Sequence, residues 1–103
     1  MRAPVLASLL VVAVGPLPAA AATVTVTMEN MQFTPAAVAV HVGDTVEWTN
    51  KDFVAHSATA NDKSFDVVVP AHKSGTLVVK AVGDFTYFCK FHPMMKGSIA
   101  AGD

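Results

Sequence analysis

The sequence has few of the residues that crosslink a chain or carry positive charge. Of its 103 residues one is cysteine, and Arg2 is its only arginine. A single cysteine excludes an internal disulfide, an iron–sulfur cluster and a C-x-x-C-H haem attachment. The absence of a basic stripe argues against nucleic acid as a partner.

The N-terminal residues have the layout of a secretory signal peptide. A short positive start precedes an apolar run over residues 5–14, and prolines and small residues follow up to Ala22, where an A-x-A cleavage pattern fits. A membrane-spanning helix needs about 20 apolar residues, and the prolines interrupt this run early. We therefore predict a signal peptide over residues 1–22, Sec-type export to the periplasm, and a domain over residues 23–103 that leaves the membrane after cleavage.

The predicted domain is small and slightly acidic. It has 81 residues with six lysines and eight acidic residues, a net charge near minus two. A hydrophobic core is only just sufficient at this size, and a metal often adds stability. The unpaired Cys89 of an exported chain is a free thiol, an intermolecular disulfide or a metal ligand.

Hydrophobic residues alternate with a period of two, and no segment sustains a helical period. Turn residues separate short runs rich in valine, threonine and aromatics, and residues 51–64 have the irregular composition of a loop. The pattern predicts an all-β fold, a small antiparallel Greek-key β-sandwich of about seven strands. The predicted strands are residues 23–28, 38–42, 45–50, 65–69, 76–79, 85–89 and 98–101.

The motif C-x2-H-x2-M near the C-terminus combines three potential metal ligands. Cys89, His92 and Met95 lie on one short segment, and His56 is the histidine best placed to complete the set from a distant loop. Thiolate and thioether sulfur are soft ligands, and two imidazoles, one thiolate and a weak axial methionine form the donor set of blue-copper sites. We predict one copper ion per chain, cycling between Cu(II) and Cu(I).

Two separated stretches resemble the cupredoxins, and among them the amicyanin branch most closely. They are MQFTPAAVAVHVGDTVEWTNKDFVAHS (31–57) and GDFTYFCKFHPMMKGSI (83–99). The resemblance covers most of the domain and implies His56, Cys89, His92 and Met95 as ligands of a mononuclear type 1 copper site. Amicyanin-type loops leave two residues between the histidine and the axial sulfur, which selects Met95 over Met94.

The resemblance also implies function and partners. Such proteins are one-electron carriers, not enzymes, and their partners are redox proteins such as an amine dehydrogenase or a c-type cytochrome. Electrons would leave through His92, with transient docking near His92, Pro93 and Met94. We expect a monomer.

Two positions depart from the pattern of the family. Ser57 stands where relatives commonly have an asparagine that ties the two ligand loops together, so we expect a looser tie. Phe91 stands where amicyanin-type loops have proline, so its backbone N–H could reach the thiolate and raise the reduction potential.

Other interpretations of these residues have less support. A copper-trafficking or storage module would use the same soft ligands and fold, whereas a thiol enzyme lacks an orienting Asn or Asp motif and an oxyanion device. Zinc rarely recruits thioether sulfur. We expect His41 and His72 to be solvated and Trp48 to lie in the core.

Overall fold

A computed structural model describes Gly15 and residues 20–103, so most of the predicted signal peptide lies outside the described residues. The described part contains nine strands and no helix. Within it, no helix is long and apolar enough to cross a membrane. The strands are β1 (Thr23–Glu29), β2 (Gln32–Thr34), β3 (Ala37–His41), β4 (Thr45–Asn50), β5 (His56–Ala60), β6 (Asp66–Val69), β7 (Ser74–Val78), β8 (Gly83–Phe88) and β9 (Lys96–Gly102).

The strands form two sheets, which confirms the predicted all-β sandwich. One sheet has the order β2-β1-β4-β7 and the other β3-β9-β8-β5-β6. Two pairings, β1 with β4 and β3 with β9, are parallel, and the remaining pairings are antiparallel. The sandwich is therefore mixed, with nine strands in the described part instead of about seven.

Local chemistry explains one of the additional strands. Pro35 has no backbone N–H and cannot continue a ladder, so the chain leaves the first sheet after Thr34 and enters the second at Ala37. The additional strand β2 thus pairs in one sheet, and β3, which corresponds to the predicted strand over residues 38–42, pairs in the other.

The other additional strand corrects the loop expected over residues 51–64. Residues 56–60, HSATA, form β5 between β6 and β8, and four of the five are buried. Their small and polar side chains give little β signal, but pairing on both sides satisfies their backbone groups. As a result His56 begins a buried strand.

An aromatic cluster fills the space between the sheets. Trp48 is fully buried, as expected, and its indole N–H donates to the Tyr87 hydroxyl at 3.3 Å. The rings of Trp48 and Tyr87 meet edge to face with centroids 5.5 Å apart, and Phe33 meets Tyr87 similarly at 4.8 Å. These contacts join the two sheets through β4 and β8, and Cys89, one of the predicted ligands, directly follows β8.

Candidate metal centre

Three predicted ligands meet at one end of the sandwich. His56 opens β5, Cys89 directly follows β8, and His92 lies in the turn before β9. The pairing of β5 with β8 brings residues 33 positions apart into contact, so that Cys89 Sγ lies 3.8 Å from His56 Nδ1. His56 and Cys89 are fully buried, and His92 is half-buried.

The turn after β8 is fixed by its own backbone. The N–H of His92 donates to the Cys89 carbonyl at 3.1 Å, and the N–H of Met95 donates to the His92 carbonyl at 2.9 Å. The Cys89 N–H then donates back to the Met95 carbonyl at 3.0 Å. Met95 is 1 % exposed whereas Met94 is 80 % exposed, so the two methionines separate into a buried and an outward side chain.

The three donor atoms form a triangle of the size that a metal ion requires. Its edges are 3.2 Å between the two Nδ1 atoms, 3.8 Å from Sγ to His56 Nδ1 and 3.7 Å from Sγ to His92 Nδ1. Bonds of about 2.0 Å to nitrogen and about 2.3 Å to sulfur, as for Zn²⁺, in a trigonal plane would give edges of about 3.5 and 3.7 Å. The donor set of imidazole, imidazole, thiolate and a nearby buried methionine fits a single copper ion per chain.

Asp52 orients the first histidine, a role that was not predicted from the sequence. Its Oδ2 lies 2.8 Å from His56 Nε2, which places the proton on Nε2 and leaves the Nδ1 lone pair for the metal. The same carboxylate accepts the backbone N–H groups of Asn30 and Met31 at 2.9 and 3.2 Å. The His56 hydrogen bond, followed by those of Asn30 and Met31, holds the pKa of Asp52 below its ordinary value.

The spacing of Asp52 offered a weak sequence signal for this role. A carboxylate four residues before a candidate ligand on a connecting loop can reach back to it, but many surface acids have such a spacing. Asn50 fixes the loop that makes the reach possible: its Nδ2 donates to the carbonyls of Val54 and Val69, and its Oδ1 accepts the Asp52 N–H at 2.9 Å.

Ser57 keeps the tie between the two ligand segments that we expected to be looser. It is fully buried, and its hydroxyl accepts the backbone N–H of Lys90 at 2.9 Å. Its own backbone N–H donates to Cys89 Sγ at 3.4 Å. Among the described residues the backbone donation to sulfur comes from Ser57, not from Phe91 as the sequence suggested.

The remaining histidines lie away from the triangle. His41 is exposed, with its Nδ1 3.7 Å from Asp44 Oδ2 at the opposite end of β3 and β4. His72 is exposed, and its ring packs edge to face on Phe53 with centroids 4.8 Å apart. Neither belongs to the cluster of potential ligands found in the described residues.

Comparisons with known proteins agree with this geometry. A family model described as a cupredoxin-like domain matches residues 3–101. Amicyanin of Paracoccus versutus is 27 % identical over 82 residues, which covers 74 % of this chain, and the chain spans 62 % of that relative's length.

Solved structures show the same fold. The crystal structure of Paracoccus versutus amicyanin has a TM-score of 0.69 at 26 % identity, covering 84 % of this chain and 85 % of that one. A purple cupredoxin from Nitrosopumilus maritimus has a TM-score of 0.70 at 22 % identity, covering 77 % and 99 %. With its two-sheet sandwich and its cluster of two histidines and a cysteine, the chain belongs to the cupredoxin-like family and is similar to amicyanin.

Proposed function

We propose that this protein is an exported blue copper protein that carries single electrons between redox partners. The observation that supports this most strongly is the triangle of His56 Nδ1, His92 Nδ1 and Cys89 Sγ, which has the size of an ion site. We propose His56, Cys89, His92 and Met95 as the ligands.

The surroundings of the site favour a carrier. Copper, when bound, supplies the reversible one-electron couple. Asp52 holds the His56 ring and Ser57 holds the sulfur, so the chain presents one arrangement of donors for both oxidation states and little needs to move during electron transfer.

Electrons would pass through His92, which is half-buried at the end of the sandwich. Apolar side chains stand exposed on the loops that carry the ligands: Phe53 is 87 % exposed just before His56, and Phe91 and Met94 flank His92. We propose that a redox partner, such as an amine dehydrogenase or a c-type cytochrome, docks transiently at His92, Pro93 and Met94 on this surface, with a small interface typical of redox encounters.

An absorption spectrum of the copper-loaded protein tests the proposal. We expect an intense visible charge-transfer band that disappears on reduction, returns on oxidation and is absent from Cys89→Ser. A colourless protein that binds only Cu(I) and releases it to a chelator would instead identify a copper-trafficking or storage module. Activity that persists without metal would indicate a thiol enzyme.

We also propose export to the periplasm through a signal peptide within residues 1–22. Ala22 donates its N–H to Asp44 Oδ1 and accepts the Thr45 N–H, both at 2.9 Å. Cleavage after residue 22 would remove these bonds, whereas cleavage after Ala21, where A-x-A also fits, would keep them. The mass of the protein recovered from the periplasmic fraction distinguishes the two, and a full-length mass would contradict cleavage.

A further inference from the structure

Two side chains link the residue after Cys89 to a carboxylate on a neighbouring strand. The Lys90 backbone N–H donates to Ser57 Oγ at 2.9 Å, Ser57 Oγ lies 2.8 Å from Thr59 Oγ1, and Thr59 Oγ1 donates to Asp66 Oδ1 at 2.8 Å. We call this chain of hydrogen bonds the Ser57–Thr59–Asp66 relay.

The direction of the relay follows from the number of protons available. Thr59 has one hydroxyl proton and gives it to the carboxylate, which can only accept when ionised. Ser57 must therefore donate to Thr59, and this turns the lone pairs of Ser57 Oγ toward the Lys90 N–H. Each donor in the series is polarised by the next, with the negative carboxylate at the end.

The strand pairing makes this arrangement possible. Thr59 on β5 and Asp66 on β6 are directly opposite in register. Ser57 and Thr59, two residues apart on β5, point to the same side of the sheet. The relay thus runs along one face of β5, from the exposed Asp66 to the fully buried Ser57.

The carboxylate also closes the relay into a ring. Lys90 Nζ donates to Asp66 Oδ2 at 2.8 Å, so Asp66 contacts the side chain of the residue whose backbone N–H begins the relay. The hydrogen bonds of Lys90 and Thr59 hold the pKa of Asp66 below its ordinary value, which keeps it an acceptor. A surface ion pair of this kind contributes little by itself, so its significance lies in fixing the end of the relay.

Ser57 connects the relay to the thiolate. Its N–H donates to Cys89 Sγ at 3.4 Å while its hydroxyl holds the next peptide of the ligand loop, so one buried residue contacts Cys89 on two sides. Without Thr59, the Ser57 hydroxyl would have no fixed acceptor and could rotate, which would weaken its contact with the Lys90 N–H. The ligand loop, and Cys89 Sγ with it, could then shift relative to the Ser57 backbone N–H.

We propose that Thr59 and Asp66 are positioning residues that set the hydrogen bond from Ser57 to the Cys89 thiolate and hold the ligand loop at Lys90. The effect of these residues on the reduction potential rests on the proposed function, because it requires copper at Cys89. Their hold on the ligand loop does not require copper and can be measured in the metal-free chain. Weaker donation to the sulfur leaves more negative charge on it, which favours Cu(II) and lowers the reduction potential.

The test is Thr59→Val, which removes the hydroxyl without changing charge. In the metal-free protein, Thr59→Val removes both hydrogen bonds of the Thr59 hydroxyl. The weaker hold of Ser57 Oγ on the Lys90 N–H should make the Lys90 amide exchange with solvent about tenfold faster. In the copper-loaded protein the reduction potential should fall and the charge-transfer band should shift. Thr59→Ser, which keeps the hydroxyl, should restore all three.

Thr86→Val is the matched control. Thr86 Oγ1 accepts from Asn61 Nδ2 on the same sheet, without a link to the relay, so Lys90 exchange and potential should stay unchanged. Unchanged exchange and potential in Thr59→Val, the same shifts in Thr86→Val, or no rescue by Thr59→Ser would each overturn the proposal.

A second variant keeps the proposal testable if Thr59→Val does not fold. Asp66→Asn retains a carbonyl acceptor for Thr59 but loses the ion pair with Lys90. Lys90 exchange should therefore be faster than in the wild-type protein, by less than about tenfold; no acceleration would overturn the proposal. The reduction potential of Asp66→Asn does not test the relay, because the loss of a negative charge shifts the potential by itself. If the wild-type protein binds no copper, the proposed function fails, and amide exchange in the metal-free chain still decides whether the relay holds the loop.

Discussion

The Asp52 carboxylate orients the His56 ring and also holds the backbone at residues 30 and 31, and replacing Asp52 with asparagine would disturb these contacts. Its oxygens accept three N–H groups, those of His56, Asn30 and Met31, between 2.8 and 3.2 Å. An asparagine side chain has one acceptor oxygen and one donor nitrogen. Whichever way the amide turns, its nitrogen faces at least one N–H that then has no acceptor.

The hydrogen bonds allow the size of the effect to be estimated. A hydrogen bond to a charged group is worth about 1.5–3 kcal/mol, and loss of the partner that orients a metal-binding histidine typically costs about 10–100-fold in metal affinity. Since each tenfold is about 1.4 kcal/mol, the two figures agree. We therefore expect Asp52→Asn to bind copper about 10–100-fold more weakly and to lower the free energy of unfolding of the metal-free protein.

A competition titration with a chelator of known affinity would measure copper binding, and urea unfolding of the metal-free protein would measure stability. Asp84→Asn is the control, because Asp84 is exposed on β8 and makes no side-chain hydrogen bond among the described residues. If Asp52→Asn bound copper as tightly as Asp84→Asn, the assignment of Asp52 as the group that orients His56 would be refuted.

Three further changes test the core and the charge balance. Gly97→Ala would drive a methyl group into the Tyr87 ring. We expect the free energy of unfolding measured in urea to fall by about 1–3 kcal/mol, and an unchanged midpoint would contradict the close contact between Gly97 and Tyr87. Tyr87→Phe removes the acceptor of the Trp48 indole N–H, so the free energy of unfolding should fall by about 1–3 kcal/mol. A shift in tryptophan fluorescence provides a second measurement. The backbone N–H groups of Ala22 and His41 hold the pKa of Asp44 below its ordinary value. That contribution to stability is present above about pH 4 and is lost as the pH falls through the lowered pKa, so urea midpoints measured from pH 7 to pH 3 should fall less steeply at the acid end for Asp44→Asn; equal slopes would argue against this role.

Much of the site was predictable from the sequence because its donor atoms are fixed by residue type. Cys89, His92 and Met95 lie within seven residues, and a short segment between two strands has few ways to separate them. The strand over residues 45–50 was predicted at its observed bounds because its alternation of buried and less buried side chains depends only on neighbouring residues.

Interactions between distant segments were not predictable. Residues 56–60 have small polar side chains, and they form a strand only because β6 and β8 pair with them on both sides. That pairing brings His56 to Cys89 and Thr59 opposite Asp66. Expectations based on single residues were therefore weakest here. Ser57 was expected to tie the loops loosely, yet its hydroxyl accepts the Lys90 N–H at 2.9 Å. Phe91 was expected to donate to the sulfur, and the donor found there is the backbone N–H of Ser57.

The sequence by itself determined which atoms could bind a metal and that the chain would form β-strands, since both depend on residue type and short-range alternation. Only the tertiary structure decided which side chains support those atoms, namely Asp52 behind His56 and the Ser57–Thr59–Asp66 relay beside Cys89. The reason is physical: hydrogen bonds act over about 3 Å, and sheet pairing decides which distant residues come that close.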